Sequence, residues 1–432
     1  MTRWRSPVPA TGLVLALVLV IASVLLGRAD VAVIGVTLLV AVAVATGVHR
    51  DAGEPSVDIT THAKGEVPGE QGTGTEPPTA RASVRVRTTP GTEIAALRVT
   101  AFGFEQHRIA IAGGDSTLEV DIPLVHSGEQ QAVGVQLREA SPDAATLSAP
   151  SAETVSHIVV EPRAVPLRAL PLPLRLRGLT GGHESSRPGD GGEFRDIHPF
   201  TSGDRLRRID WKATARLARR PSDLFVRRTS ATSDAHVAIV VDDAADVGEV
   251  IESWTMGDPT ISGVTSLDVA REAAWSLANA YLDAGDAVSF QLLSRARGSV
   301  RPGAGARHRE LLHAAISRIT AAPRTFAHSR TPLVASGSLI YLLSTFLDDD
   351  VVRLAELWRA AGHRVVAVDL LPRLRLDGLG RERLVALRVV LGRRTDRFHD
   401  LEAVGADVMQ WDVPPSQRAA TMQRLARGAR RR

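Results

Sequence analysis

Residues 181–216 read GGHESSRPGDGGEFRDIHPFTSGDRLRRIDWKATAR, and the chain changes character on either side of them. Upstream, long apolar runs give way to short stretches of alternating polarity. Downstream, uninterrupted apolar runs alternate with segments of helical period. The stretch itself is dense in Gly, Arg, Asp and aromatic residues. Gly181, Gly182, Gly189, Gly191 and Gly192 read as an open loop of the kind that wraps a phosphate through backbone N–H groups. The loop lacks the lysine and hydroxyl residue of a P-loop, and no apolar strand runs into it, so positive φ is the simpler reason for its glycines. Gly203-Asp204 reads as a turn, and Asp210 as the cap of a helix from Trp211 to Arg219. Arg207, Arg208 and Arg216 have Asp196, Asp204 and Asp210 as neighbours, which predicts fork-shaped guanidinium–carboxylate pairs, the alternative being one arginine left free for an anionic ligand. Trp211 reads as a buried aromatic anchor whose truncation to Ala costs about 3–5 kcal/mol.

Downstream the pattern is strand, helix, strand. His236–Val241 is a β-branched run expected of a strand buried on both faces. Thr265 and Asp268 predict a capping box, opening a helix that Gly285 closes. Leu267, Ala270, Ala274, Leu277, Ala278 and Tyr281 share one face of that helix. Strands are predicted at 286–293, 339–343, 365–370 and 387–391. Helices are predicted at 306–319, with Leu311, Leu312, Ala315, Ile316 and Ile319 inward, and at 351–361. Ser416 caps a last helix with an Arg-rich end. This alternation argues a mostly parallel, Rossmann-like α/β sheet covered on both faces.

Upstream, 9–26 and 31–48 are two apolar runs without an internal charge, each near the roughly 20 residues a spanning helix needs. Gly27-Arg28-Ala29-Asp30 makes a tight turn between them. Arg3 and Arg5 precede the pair and Arg50 follows it, which places both ends, and the bulk of the chain, on the cytoplasmic side of the cell membrane. A rival reading has the first run as a signal peptide cut near Ala29, with the second run still spanning. From Ser56 to about Leu170 the period is two, in Ser83–Arg87, Ala96–Val99, Leu118–Ile122 and Val133–Leu137, with turns at 89–91, 113–115 and 141–143. Short strands so punctuated predict a β-sandwich. A Gly/Pro/Thr-rich loop at 65–79 interrupts its start, and the proline-punctuated 166–173 reads as an extended linker. The predicted divisions are a two-helix membrane anchor (1–50), a β-sandwich-like domain (51–165), a linker with the quoted segment (166–230) and an α/β domain (231–432).

The chain of 432 residues has a formal charge of +4 and no cysteine, which excludes disulfides, thiolate metal sites and a cysteine nucleophile. Lys64 and Lys212 are its only lysines, so the basic residues are almost all arginine. Arginines are frequent from Arg163 to Arg228, but acids are interleaved and only Phe194, Phe200, Trp211 and Phe225 offer stacking faces there, so no nucleic-acid partner is expected. Attraction to an anionic membrane surface is the simpler explanation for those arginines.

The spacing G-E-F-x-x-I-x-x-F-x-x-G-D-x-x-R-x-I-D-W-x-x-x-A-R, from Gly192 through Arg216, resembles the signature of the bacterial family called domain of unknown function 58. Gly203, Asp204, Arg207, Ile209, Asp210, Trp211 and Arg216 carry the resemblance, and His198 departs from it. The resemblance implies an N-terminal membrane anchor, a β-rich region, this signature and a von Willebrand factor A-like domain, with a MoxR-type AAA+ ATPase as partner. Such a domain holds a divalent ion with Asp-x-Ser-x-Ser after its first strand, a Thr and a later Asp. Here Asp242 matches, Ala244 and Asp246 replace the serines, Thr345 stands where an Asp is usual, and Asp348 is displaced. Asp242, Asp246, Thr345 and Asp348 are therefore a degenerate metal site, holding Mg²⁺ or Ca²⁺ weakly if at all, and Asp242→Ala is expected to leave stability little changed. No G-x-S-x-G, H-E-x-x-H or triad order is present. The expected function is that of a membrane-anchored adaptor or scaffold with no cofactor and no catalytic residue. The alternative is a metal-dependent ligand-binding or hydrolytic protein using the acidic strand ends.

Overall fold

A computed structural model describes residues 3–5, 7–47, 55–63, 79–101, 105–140, 146–174, 183–202, 204–220, 222–233, 235–256, 262–294, 298–322 and 331–428. The chain forms two units, residues 1–125 with 129–160, and residues 161–432 with 126–128. The predicted loop at 65–79 lies outside the described residues except for Thr79.

In the first unit a short strand β1 (Arg3–Arg5) precedes helices α1 (Pro7–Leu26) and α2 (Ala29–Gly47). Val8–Leu26, with a mean hydropathy of 2.6, is long and apolar enough to cross a membrane; the apolar part of α2, Ala29–Val44, is shorter. The helices approach each other at glycines. A Cβ at Gly12 would lie 2.9 Å from Val42 and one at Gly35 2.9 Å from Val20, the close backbone approach that small residues permit between apolar helices.

The rest of this unit is sheet. Strands β2 (Ser56–Ala63), β3 (Thr79–Arg87) and β6 (Asp115–Pro123) form one antiparallel sheet with β3 central. The second sheet has the order β1-β8-β7-β4-β5, with β4 (Ile94–Ala101), β5 (Glu105–Ala112), β7 (Gly128–Ala140) and β8 (Thr146–Ser148); β9 (Thr154–Val160) also pairs with β7. Period-two alternation turns Ala80, Ala82, Val84 and Val86 of β3 inward to meet Leu97 and Val99 of β4 and Val133, Val135 and Leu137 of β7 in one apolar core. Each of the four alternating stretches predicted as strands lies within one of these.

In the second unit, a six-stranded sheet has the order β14-β13-β12-β15-β16-β17: β12 (His236–Val241), β13 (Ala287–Leu292), β14 (Val300–Gly303), β15 (Leu339–Ser344), β16 (Arg364–Asp369) and β17 (Asp407–Gln410). All neighbours are parallel except the edge strand β14. Successive residues of β12 feed opposite faces. Val237, Ile239 and Val241 pack with α5 (Ser266–Asp283), α6 (Ala306–Ser317) and α9 (Pro415–Gly428). Ala238 and Val240 pack with α7 (Asp350–Ala360) and Leu401 of α8 (Arg381–Ala403). A short helix α4 (Ser253–Met256) lies between β12 and α5. The capping box of Thr265 and Asp268 forms, and Gly285 takes φ +82° where α5 ends.

Four expectations are corrected. Residues 387–391 are helix, not strand: Leu387, Arg394 and Leu401 are the buried positions of α8, seven apart, while Val389 and Val390 of the run are exposed. Leu311 is 54% exposed while Leu312 and Ile316 are buried, because the inward stripe of α6 is narrower than its apolar content. The last helix starts at Pro415, with Pro in the first turn where its missing N–H costs nothing, so Ser416 lies inside it. The glycine-rich 183–199 is not an open loop but strand β10 (His183–Pro199), paired antiparallel with β11 (Phe225–Ser233). Gly189 and Phe194 both face Thr229, so the glycines 191 and 192 fall in a bulge that the ladder bypasses.

The stretch 161–173 belongs to this second unit and is tied to it. Val165 N donates to Ser276 Oγ (2.8 Å), and Arg364 donates to the Leu172 carbonyl (2.8 Å). The fully buried Tyr281 hydroxyl donates to the Pro171 carbonyl (2.6 Å) and meets Tyr341 Oη at 2.8 Å. Tyr281→Phe leaves that carbonyl and Tyr341 without this partner and is expected to cost about 1–3 kcal/mol. Chemical denaturation measures the loss, and limited proteolysis should cut 161–173 sooner in the variant.

Candidate interaction surface

The segment between β10 and β11 is held by its backbone. Phe200 N donates to Leu224 O (2.8 Å), Ile209 bridges Val226, and Asp210 N donates to Phe225 O (2.9 Å). Asp204 closes the first turn: its Oδ2 accepts from Thr201 N (2.9 Å) and Oγ1 (2.8 Å). Those bonds, the backbone N–H foremost, hold its carboxyl below the usual range. Gly203 lies outside the described residues. A 3-10 turn, Leu206–Arg208, leads to α3 (Trp211–Leu217), where Asp210 Oδ1 accepts from Ala213 N (2.9 Å). The predicted cap is therefore present, on a helix two residues shorter than expected. Thr214 Oγ1 accepts from Phe225 N (3.0 Å), so α3 docks on β11 through Thr214, and Ala213 beside it is buried.

That docking decides where Trp211 goes. Two residues along a helix is about 200° of rotation, so with Ala213 buried Trp211 faces away. It is 68% exposed and Leu206 is 70% exposed. The expectation of a buried anchor is wrong for this reason: the inward position went to a small residue that lets the helix lie close to the strand. The predicted ion pairs also fall differently. Asp204 faces Arg228 at 4.0 Å, Asp210 serves as the cap, and Arg207 and Arg216 are exposed.

The strand-end residues form a second cluster of interest, and their carboxylates are already occupied. Asp242 Oδ2 accepts from Ser344 Oγ (2.6 Å) and Oδ1 from Ala244 N (3.1 Å). Asp243, fully buried, accepts from Ser294 N (3.0 Å) and Oγ (2.5 Å). Asp246 accepts from Leu267 N (3.0 Å) and Ser266 Oγ (3.2 Å) at the start of α5. Asp348 is exposed and accepts from Asp350 N (3.1 Å) at the start of α7. Arg394, reaching in from α8, donates to the Thr345 carbonyl (2.7 Å) and to buried Asp369, beneath the ring of Phe398. Asp242, Asp246 and Asp348 thus each accept hydrogen bonds from the fold. Among the described residues no three His, Cys, Asp or Glu side chains group as metal ligands. Periodicity gave no sign of Arg394, since an arginine within α8 reads as solvated.

A third cluster was invisible in sequence because its members lie 142 positions apart. His126 Nδ1 is 2.6 Å from Asp268 Oδ2, and its Nε2 is 3.2 Å from Ser262 Oγ. The order Ser–His–Asp resembles a nucleophile with its base, yet the surroundings are structural. Asp268 is the third residue of the capping box and also accepts from Ser127 N (2.8 Å) and Arg271 (3.2 Å). Ser262 is 6% exposed, and its hydroxyl is also 3.2 Å from the Gly263 carbonyl.

Residues 196–377 match the model of the family described as "Protein of unknown function DUF58". No curated protein matches the chain.

Two outcomes follow from the carboxylates. Burial opposes ionisation of Asp268, but His126, Arg271 and Thr265 outweigh it and hold its carboxyl below the usual range. A depressed folded pKa gives stability that is present above the unfolded value near 3.8 and lost as pH falls through the folded one. Asp268→Asn should therefore flatten the acid limb of a Tm–pH curve. Asp242→Ala, contrary to the sequence expectation, strips Ser344 Oγ of its buried acceptor and is expected to cost about 1–3 kcal/mol in a denaturant titration.

Proposed function

Residues 196–377 belong to the family described as protein of unknown function DUF58, and on that premise we propose that the chain is a membrane-anchored adaptor that binds a protein partner and transforms no substrate. The observation that carries this is the placement of Trp211 and Leu206. A tryptophan and a leucine stand more than two-thirds exposed on a segment whose backbone is locked at both ends. Rigid exposed aromatics are the usual energetic centres of protein interfaces.

The strand order with its antiparallel edge strand supports a Rossmann-like, von Willebrand factor A-like domain. The glycine contacts between α1 and α2 support a transmembrane hairpin, and the flanking arginines favour a cytoplasmic body. The partner we propose is a MoxR-type AAA+ ATPase. Internal pairing of the strand-end carboxylates supports a role without a resident metal. The Ser262–His126–Asp268 line is assigned to holding the start of α5.

The test is co-purification of the detergent-solubilised full chain with a purified MoxR-type ATPase, with ATP and Mg²⁺. Capture is expected from wild type and weakened about thirtyfold by Trp211→Ala, whose melting curve stays within the small range of surface substitutions. No capture by wild type would remove the ATPase as partner. Capture unaffected by Trp211→Ala would move the interface elsewhere. A fluorophosphonate probe is expected to leave Ser262 unlabelled.

A further inference from the structure

Cations are concentrated on the segment that exposes Leu206 and Trp211. Residues 205–220 carry seven cations against one acid, a local +6 in a chain whose total is +4, so all the rest is net −2. The single acid, Asp210, is turned to the N–H of Ala213 as a cap. Arg207, Lys212, Arg216, Arg219 and Arg220 are all exposed. They stand on the same short turn-and-helix segment as Leu206 and Trp211. The nearby Asp223 does not offset them outwardly, since its Oδ2 accepts from the backbone N–H groups of Arg219 and Arg220 (3.2 and 3.1 Å).

Resting on the adaptor reading, we infer that the partner meets residues 205–220 with an acidic face built around an apolar socket. Leu206 and Trp211 fill the socket, and carboxylates around it face the cations. A neutral apolar patch on the partner would leave these guanidinium groups desolvated and unpaired at the rim, which is costly. A carboxylate-bearing face pairs them, bidentate where arginine allows it. Complementary charge of this density also speeds encounter and makes it sensitive to salt. The segment is already ordered by its contacts with β11, so little conformational freedom is lost on docking. An acidic protein face is favoured over a nucleic acid because Trp211 is the only aromatic within 205–220, where strand binding uses successive stacking platforms.

The chain has no cysteine, so Ala215→Cys, at an exposed position of α3, carries one environment-sensitive dye on the full chain in nanodiscs of zwitterionic lipid. The probe is a synthetic helical peptide with leucines on one face and glutamates on the other. Its addition is expected to blue-shift the dye, with an affinity that falls as salt rises. Trp211→Ala is expected to weaken binding about thirtyfold. Arg207→Glu with Arg216→Glu is expected to abolish it while circular dichroism and Tm remain those of wild type. The lysine-for-glutamate peptide should give no shift.

Equal response to both peptides, or a response indifferent to these substitutions, overturns the inference. So does a peptide-free shift on changing the lipid to phosphatidylglycerol, which makes the surface a membrane contact, or a shift with a single-stranded oligonucleotide but not with the acidic peptide. The adaptor reading fails separately. A dye that answers the acidic peptide in a chain that captures no ATPase leaves the surface standing and removes that partner. ATPase capture indifferent to the Arg207→Glu/Arg216→Glu pair does the reverse.

Discussion

A strand buried on both faces has no water along its length, and β12 is such a strand. Val237, Ile239 and Val241 are sealed by α5, α6 and α9, and Ala238 and Val240 by α7 and α8. Polar groups at its carboxyl end must therefore find partners within the protein. That constraint organises the strand-end region. Asp242 takes the Ser344 hydroxyl from the neighbouring strand, Asp243 takes Ser294 from beyond β13, and Asp246 takes the first turn of α5. Next to them Asp369 is neutralised by Arg394. A guanidinium supplied by the chain compensates a carboxylate that would otherwise be buried alone. The region is a set of struts between strands and helices.

The same accounting works in the opposite direction in the segment before β12. There the backbone is satisfied first, by β10, β11 and the Asp210 cap, and only Ala213 of α3 is buried. Large side chains are left outside because the small one is what allows close packing. An exposed Trp211 is thus a consequence of how α3 docks and not a failure of burial. Its surroundings differ from the strand ends in sign as well: cations outside, acids turned inward onto N–H groups.

These two regions were unequally legible in the sequence. Element type was readable wherever burial imposed a period, as in β12, α5 and the alternating strands β3, β4, β6 and β7. It was misread at 387–391, where a β-branched run hid a seven-residue stripe, and at 183–199, where glycines suggested a loop although a paired strand can bypass them in a bulge. The capping residues Asp210 and Thr265 were readable because a cap is local. The direction of Trp211 was not, since it depends on which neighbour β11 accepts. Arg394, His126 and Ser262 were not legible because their partners come from distant elements and no local period marks them.

Opposed electrostatic demands meet at the start of α5 and show how finely that corner is set. Hydrogen bonds from His126 and Thr265 hold the Asp268 carboxyl down against its burial, with Asp246 close by. Each raises the cost of ionising the other, and Arg271, itself buried enough for its guanidinium pKa to be lowered, stands against both. Asp246 and the capping box of Thr265 and Asp268 tie the start of α5 to the segment that follows β12. In the Arg-rich segment, by contrast, Leu206, Trp211 and the cations beside them are directed outward together.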